Sequence, residues 1–131
     1  MVISSNLHGG LGIVRGDNFS IKRTVTGVPG SRTIALAWLT VKSAISVNDA
    51  TSLIFQKAIT PSDVAGTGQI EDTGATGVGI LRFDVTTANT TGMTADTQYY
   101  FDIQIKLDNN DILTLEKGLT SAGAQVTVAT S

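Results

Sequence analysis

Side chains that could do chemistry are few in this chain, and their spacing suits little of the chemistry they suggest. Histidine occurs once, at His8, so one chain can build neither a histidine-based triad nor a multi-histidine metal site. Cysteine is absent, which removes thiol catalysis and zinc-thiolate sites. Asp63, Glu71 and Asp72 could supply paired carboxylates for acid-base work, as in a glycoside hydrolase, but nothing around them suggests a pocket and the solubility of a loop accounts for them. Asp108, Asn109, Asn110 and Asp111 offer the hard oxygens that calcium prefers, yet no glutamate follows at the bidentate position. Gly66, Gly68, Gly74, Gly77 and Gly79 lack the lysine and the strand-to-helix setting of a phosphate loop. Arg15-Gly16-Asp17 matches the integrin-binding tripeptide, a match short enough to arise by chance and explained by a turn. With no nucleophile-base pair and no metal cluster, the expectation is a non-enzyme with no catalytic residue, no metal and no cofactor.

Composition narrows the partners. Nine Lys+Arg against eleven Asp+Glu give a net charge of -2, and no basic cluster is longer than Lys22-Arg23. Phosphate neutralisation needs a concentrated positive surface, so no nucleic-acid partner is expected. No apolar run approaches the roughly 20 residues of a membrane-spanning helix, and Met1 to Gly10 lacks the pattern of a signal peptide, so no membrane partner and synthesis in a cytoplasm are expected. Charged residues make up only 15% of the chain, against roughly 25% in soluble domains. A surface so poor in charge is expected to be partly covered in use.

The elements that must position these residues are strands. Tyr99, Phe101, Ile103, Ile105 and Leu107 alternate with Tyr100, Asp102, Gln104 and Lys106, a period of two that predicts one face in a core. The Asp108 to Asp111 cluster then predicts a hairpin turn, because Asn and Asp tolerate left-handed backbone, and the apolar run from Ile112 returns. Phe19, Ile21, Arg23 and Val25 alternate with Ser20, Lys22 and Thr24 in the first full strand. Thr33 to Val41 is apolar on both faces, which predicts a strand in the middle of a sandwich with Trp38, the only tryptophan, as a core anchor.

Ser46 to Ser52 suggests a single helical turn before a strand from Leu53 to Thr60. Pro61 to Gly79 is loose, with one short strand at Gln69 to Glu71, and a strand resumes over Gly79 to Thr86. Ala88 to Asp96 makes a crossover, and Gln125 to Ala129 a closing strand. About 7-8 strands with regular turn signals and no long helix predict an all-β fold, an antiparallel immunoglobulin-like β-sandwich over residues 15-131. Residues 1-14 read as an extended N-terminal arm. Its Ile3, Leu7, Leu11 and Ile13 are apolar among glycines, and since apolar area seeks burial they are the expected protein-interface residues.

Four segments together carry a resemblance: Arg15-Gly16-Asp17-Asn18-Phe19-Ser20-Ile21, Ala35 to Ser43, Gln98 to Ile105, and Leu113-Thr114-Leu115-Glu116-Lys117-Gly118. The chain resembles small β-sandwich structural proteins of tailed phages and prophages, and is similar to the N-terminal domain of phage baseplate upper proteins. That resemblance implies a virion component made in the host cytoplasm: a baseplate, fibre-attachment or tail module, or a capsid cement protein. Its implied partners are other phage structural proteins and copies of itself, as a homo-oligomer in a symmetric assembly. The competing expectation is a carbohydrate- or receptor-binding sandwich with Pro61 to Gly79 and Ala88 to Asp96 as its rim, although those loops hold no aromatic residue for stacking on a sugar.

Overall fold

A computed structural model describes residues 4–5, 11, 13–14, 18–44 and 52–123. These residues form two packed, mostly antiparallel sheets with one short helix. The strands are β1 (Ser4–Ser5), β2 (Ile13–Val14), β3 (Phe19–Thr26), β4 (Ile34–Lys42), β5 (Leu53–Ile59), β6 (Gly68–Thr73), β7 (Val78–Val85), β8 (Gln98–Leu107) and β9 (Ile112–Gly123), with α1 (Thr87–Thr90) between β7 and β8. One sheet has the order β1-β3-β7-β6 and the other β2-β9-β8-β4-β5. All pairings are antiparallel except β2 with β9, which is parallel. The closing strand expected at Gln125 to Ala129 and the helical turn expected from Ser46 lie largely or wholly outside the described residues.

The core sits between the sheets. Tyr99, Phe101, Ile103, Ile105 and Leu107 of β8 all face inward and are buried, as the alternation predicts. They meet Ile21 and Val25 of β3 and Leu81, Phe83 and Val85 of β7 in one continuous cluster. Each such side chain contributes roughly 1.5–3 kcal/mol by leaving water, so the two sheets hold together chiefly by this layer. The hairpin turn is as expected: Asn110 has a φ of 72°, its N–H donates to the Leu107 carbonyl, and Asn109 Oδ1 accepts from the Asp111 N–H. At the crossover from β7 to β8, the Tyr99 hydroxyl accepts a 2.6 Å hydrogen bond from the Thr94 N–H, anchoring the start of β8.

Four β-bulges set which side chains face where. Each inserts one extra residue, at Ala35 in β4, Ile54 in β5, Glu71 in β6 and Leu115 in β9, and so reverses the in-out phase beyond it. The Ala35 bulge matters most for β4, where Ile34, Ala37, Leu39 and Val41 become the inward set. Trp38 therefore points out. The expectation of a core anchor is corrected: Trp38 is partly exposed on the outer face of the five-stranded sheet, beside Ala58 and Gln104.

The stretch read as an arm is tied into both sheets. Ser4 and Ser5 pair with Thr26 and Val25, and Ile13 and Val14 pair with Ala122 and Gly123.

Candidate functional site

Three groups of residues could carry function, and each is defined by the strand that presents it. The first is buried. Arg23 occupies the inward phase of β3, and the Leu115 bulge turns Glu116 of β9 inward to meet it. Arg23 Nε lies 2.9 Å from Glu116 Oε1 and Nη2 3.3 Å from Oε2, while Nη1 donates to the Lys22 carbonyl. The two side chains are 7% and 3% exposed, so this bidentate pair joins the two sheets across the core. Each of the three guanidinium nitrogens has a protein acceptor, and the role of the pair is structural.

The second group lies on the outer face of the four-stranded sheet. Arg82 of β7 binds Asp63 at 2.6 Å, Glu71 at 2.9 Å and Asp84 at 3.2 Å. Lys22 reaches Glu71 at 3.0 Å, and the Ser20 hydroxyl donates to Asp84 at 2.7 Å. Two of the three carboxylates singled out for acid-base chemistry, Asp63 and Glu71, are thus brought together, but around a guanidinium. Hydrogen bonds donated by Lys22 and Arg82 hold Glu71 below the usual carboxylate range, and donating to Asp63 and Glu71 raises the Arg82 guanidinium further above its ordinary value. A general acid needs the opposite shift. Asp72, the third, accepts from the Gly74 N–H in a tight turn instead. Among the described residues, no group of three or more His, Cys, Asp or Glu is placed to hold a metal ion.

The third group lies on the outer face of the five-stranded sheet, and sequence reading missed it. Strand register places Thr114, Gln104, Trp38 and Ala58 in one row, and Lys117, Asp102, Thr40 and Gln56 in the next. A third row runs Leu119, Tyr100, Lys42 and Leu53. Leu53, Leu119 and nearby Ile112 are 41%, 48% and 57% exposed, and Trp38 and Tyr100 are partly exposed. Asp102 is half-covered by its neighbours, and that desolvation pushes its carboxyl up while Lys42 and Lys117 pull it down. The apolar run on both faces of β4 was the available signal, since a strand so built must present apolar area outward as well as inward.

Of the expected interface residues, Leu11 and Ile13 are 7% and 3% exposed and buried in the core of their own chain, where the Leu11 N–H donates to the Thr120 hydroxyl. Within one chain they leave little apolar surface for a neighbour. Ile3, Leu7, His8 and the Arg15-Gly16-Asp17 tripeptide lie outside the described residues. No described helix is long and apolar enough to cross a membrane. No protein-family model matches the chain, and no curated protein matches it in sequence.

Proposed function

We propose that this protein is a non-enzymatic structural subunit of a bacteriophage particle, built on an immunoglobulin-like sandwich and joining neighbouring subunits in a baseplate, tail or capsid. The strand order supports the immunoglobulin-like reading: β1-β3-β7-β6 corresponds to A-B-E-D, and β9-β8-β4-β5 to G-F-C-C′, with β2 as a short strand beside G. The Tyr99 hydroxyl bonded back to Thr94 at the crossover corresponds to the tyrosine corner of such domains. The chain departs from antibody domains in having no cysteine pair and in turning its strand-C tryptophan, Trp38, outward.

The observation that carries the assembly reading is the outer face of the five-stranded sheet. Among its polar residues it leaves Trp38, Tyr100, Leu53, Leu119 and Ile112 partly or largely exposed, and exposed apolar area with aromatic residues marks surfaces where proteins meet. The resemblance of the four strand segments to phage structural proteins supports the particle as the setting. Peptide mass spectrometry and electron microscopy of native particles test it: the chain in stoichiometric, symmetric copies is the expected result, and its absence from purified particles contradicts it.

One observation favours a second reading, a carbohydrate-binding sandwich. Trp38 and Tyr100 offer stacking surfaces on one sheet face, with the polar Gln104 in the Trp38 row and Asp102 in the row between them. Saturable binding on a glycan array that Trp38→Ala abolishes would place this reading first.

A further inference from the structure

We propose that the outer face of the five-stranded sheet docks a second copy of this chain, about a two-fold axis running along the seam between β4 and β8. The inference rests on the assembly reading and names the surface and the partner. It follows from the order of residues across the sheet. A two-fold axis along that seam exchanges β4 with β8 and β5 with β9, so each row must be compatible with its own reversal.

The row Leu119, Tyr100, Lys42, Leu53 reverses onto itself. Leu53 meets Leu119 of the second copy at both margins, and Lys42 meets Tyr100, a cation over an aromatic ring. In the row Lys117, Asp102, Thr40, Gln56, reversal sets the Thr40 hydroxyl against Asp102 and Gln56 against Lys117, each a donor or acceptor matched to a charge. The Trp38 row sets its indole against Gln104. No like charges oppose one another in any of these rows. An axis across the strands through Asp102 would instead bring two copies of that carboxylate together, in surroundings that already disfavour its charge.

Size and edges agree. Three rows of about 6.7 Å over four strands about 4.8 Å apart, with Ile112, Lys106 and Leu36 as a fourth row on three strands, make a face of about 480 Å² per copy. The total of about 1,000 Å² stands at the lower limit of a specific interface. Strand-edge pairing is guarded on the β5 side. Lys57 lies in the inward phase of that edge strand and donates to the Gly66 carbonyl at 2.6 Å, and an inward-pointing charge is a known block to edge-to-edge association.

Because the chain has no cysteine, the register can be tested directly. Leu53→Cys and Leu119→Cys are made separately at exposed sites, checked for folding by circular dichroism, and treated with a bis-maleimide spanning about 10 Å, the spacing of packed sheets. The mixture is expected to give covalent dimer at least about ten-fold above either variant alone, since the two-fold axis brings 53 only to 119. Equal cross-linking in the single variants, or none in the mixture, overturns the register. Sedimentation of the unmodified chain gives a second reading that no variant can disturb: a monomer at about 100 μM overturns the dimer. A monomer that is nevertheless found in particles overturns this inference alone, whereas a dimer absent from particles overturns the particle assignment alone.

Discussion

The outer faces of the two sheets share the same strand geometry and present opposite surfaces. On the four-stranded side, Ser20, Lys22, Asp63, Glu71, Arg82 and Asp84 form a closed network of ion pairs and hydrogen bonds, with Thr24, Thr26, Val78 and Ile80 beyond it. On the five-stranded side, Trp38, Tyr100, Leu53, Leu119 and Ile112 lie among Lys42, Asp102, Lys106 and Lys117. The ionisable groups register the difference. Glu71 is held low by donors from Lys22 and Arg82, while Asp102 is pushed up by desolvation. A face that meets water satisfies its charges locally. The five-stranded side leaves apolar area open among its charges, the pattern of a surface suited to protein contact.

Ways to break or sharpen this contrast differ in expected size. The largest effect belongs to neither face, and calibrates both. Arg23→Met removes the ion-pair partner of the buried Glu116 carboxylate, and the unfolding free energy is expected to fall by about 3–5 kcal/mol in urea titrations. The double variant Arg23→Met/Glu116→Leu is expected to recover most of that loss, since a well-packed apolar pair removes the stranded charge. Next comes the proposed contact face. Trp38→Ala is expected to weaken self-association by about 2 kcal/mol or more, roughly thirty-fold, in sedimentation equilibrium. Lys22→Gln on the opposite face should leave self-association unchanged.

Smaller effects come from the charged network. Arg82→Gln removes the centre of three carboxylates, so the melting temperature is expected to fall at low salt. The gap to the unaltered chain should narrow as salt rises to about 1 M, where the Debye length is about 3 Å. The smallest effects are pH-dependent and opposite in sign. Glu71 has a lowered folded-state value, so its stabilisation is present above its unfolded value and lost as pH falls through the folded one. Asp102 has a raised value, so its favourable contribution is present in acid and lost as pH rises through the folded value. At neutral pH Glu71→Gln is expected to lower stability and Asp102→Asn to raise it. Thermal melts from about pH 2 to 7 should show both differences vanish toward acid.

How much of this was legible follows from what alternation can encode. Strand β8 and its turn could be read, because Tyr99 to Leu107 alternate without interruption and the Asp/Asn turn carries its own backbone preference. The inward position of Arg23 was legible in the same way, from its phase with Ile21 and Val25. Its partner was not. Glu116 faces in only because Leu115 is bulged, and a bulge leaves no mark in composition. Trp38 was misplaced for a related reason: a strand apolar on both faces gives no parity, and the preference of large aromatics for burial then points the wrong way. The outer face of the five-stranded sheet is a product of cross-strand register, which brings Leu53 and Leu119 into one row from strands more than sixty residues apart.

Trp38 also provides the most direct test of the central claim, that the outer face of the five-stranded sheet is a contact surface. As the only tryptophan, its fluorescence reports on that face alone. Emission and acrylamide quenching would be followed from about 0.1 to 100 μM protein, a range that spans weak and tight association. A blue shift and loss of quenching with rising concentration are the predicted result. Emission and quenching unchanged across that range, in a chain that self-associates by sedimentation, would contradict it.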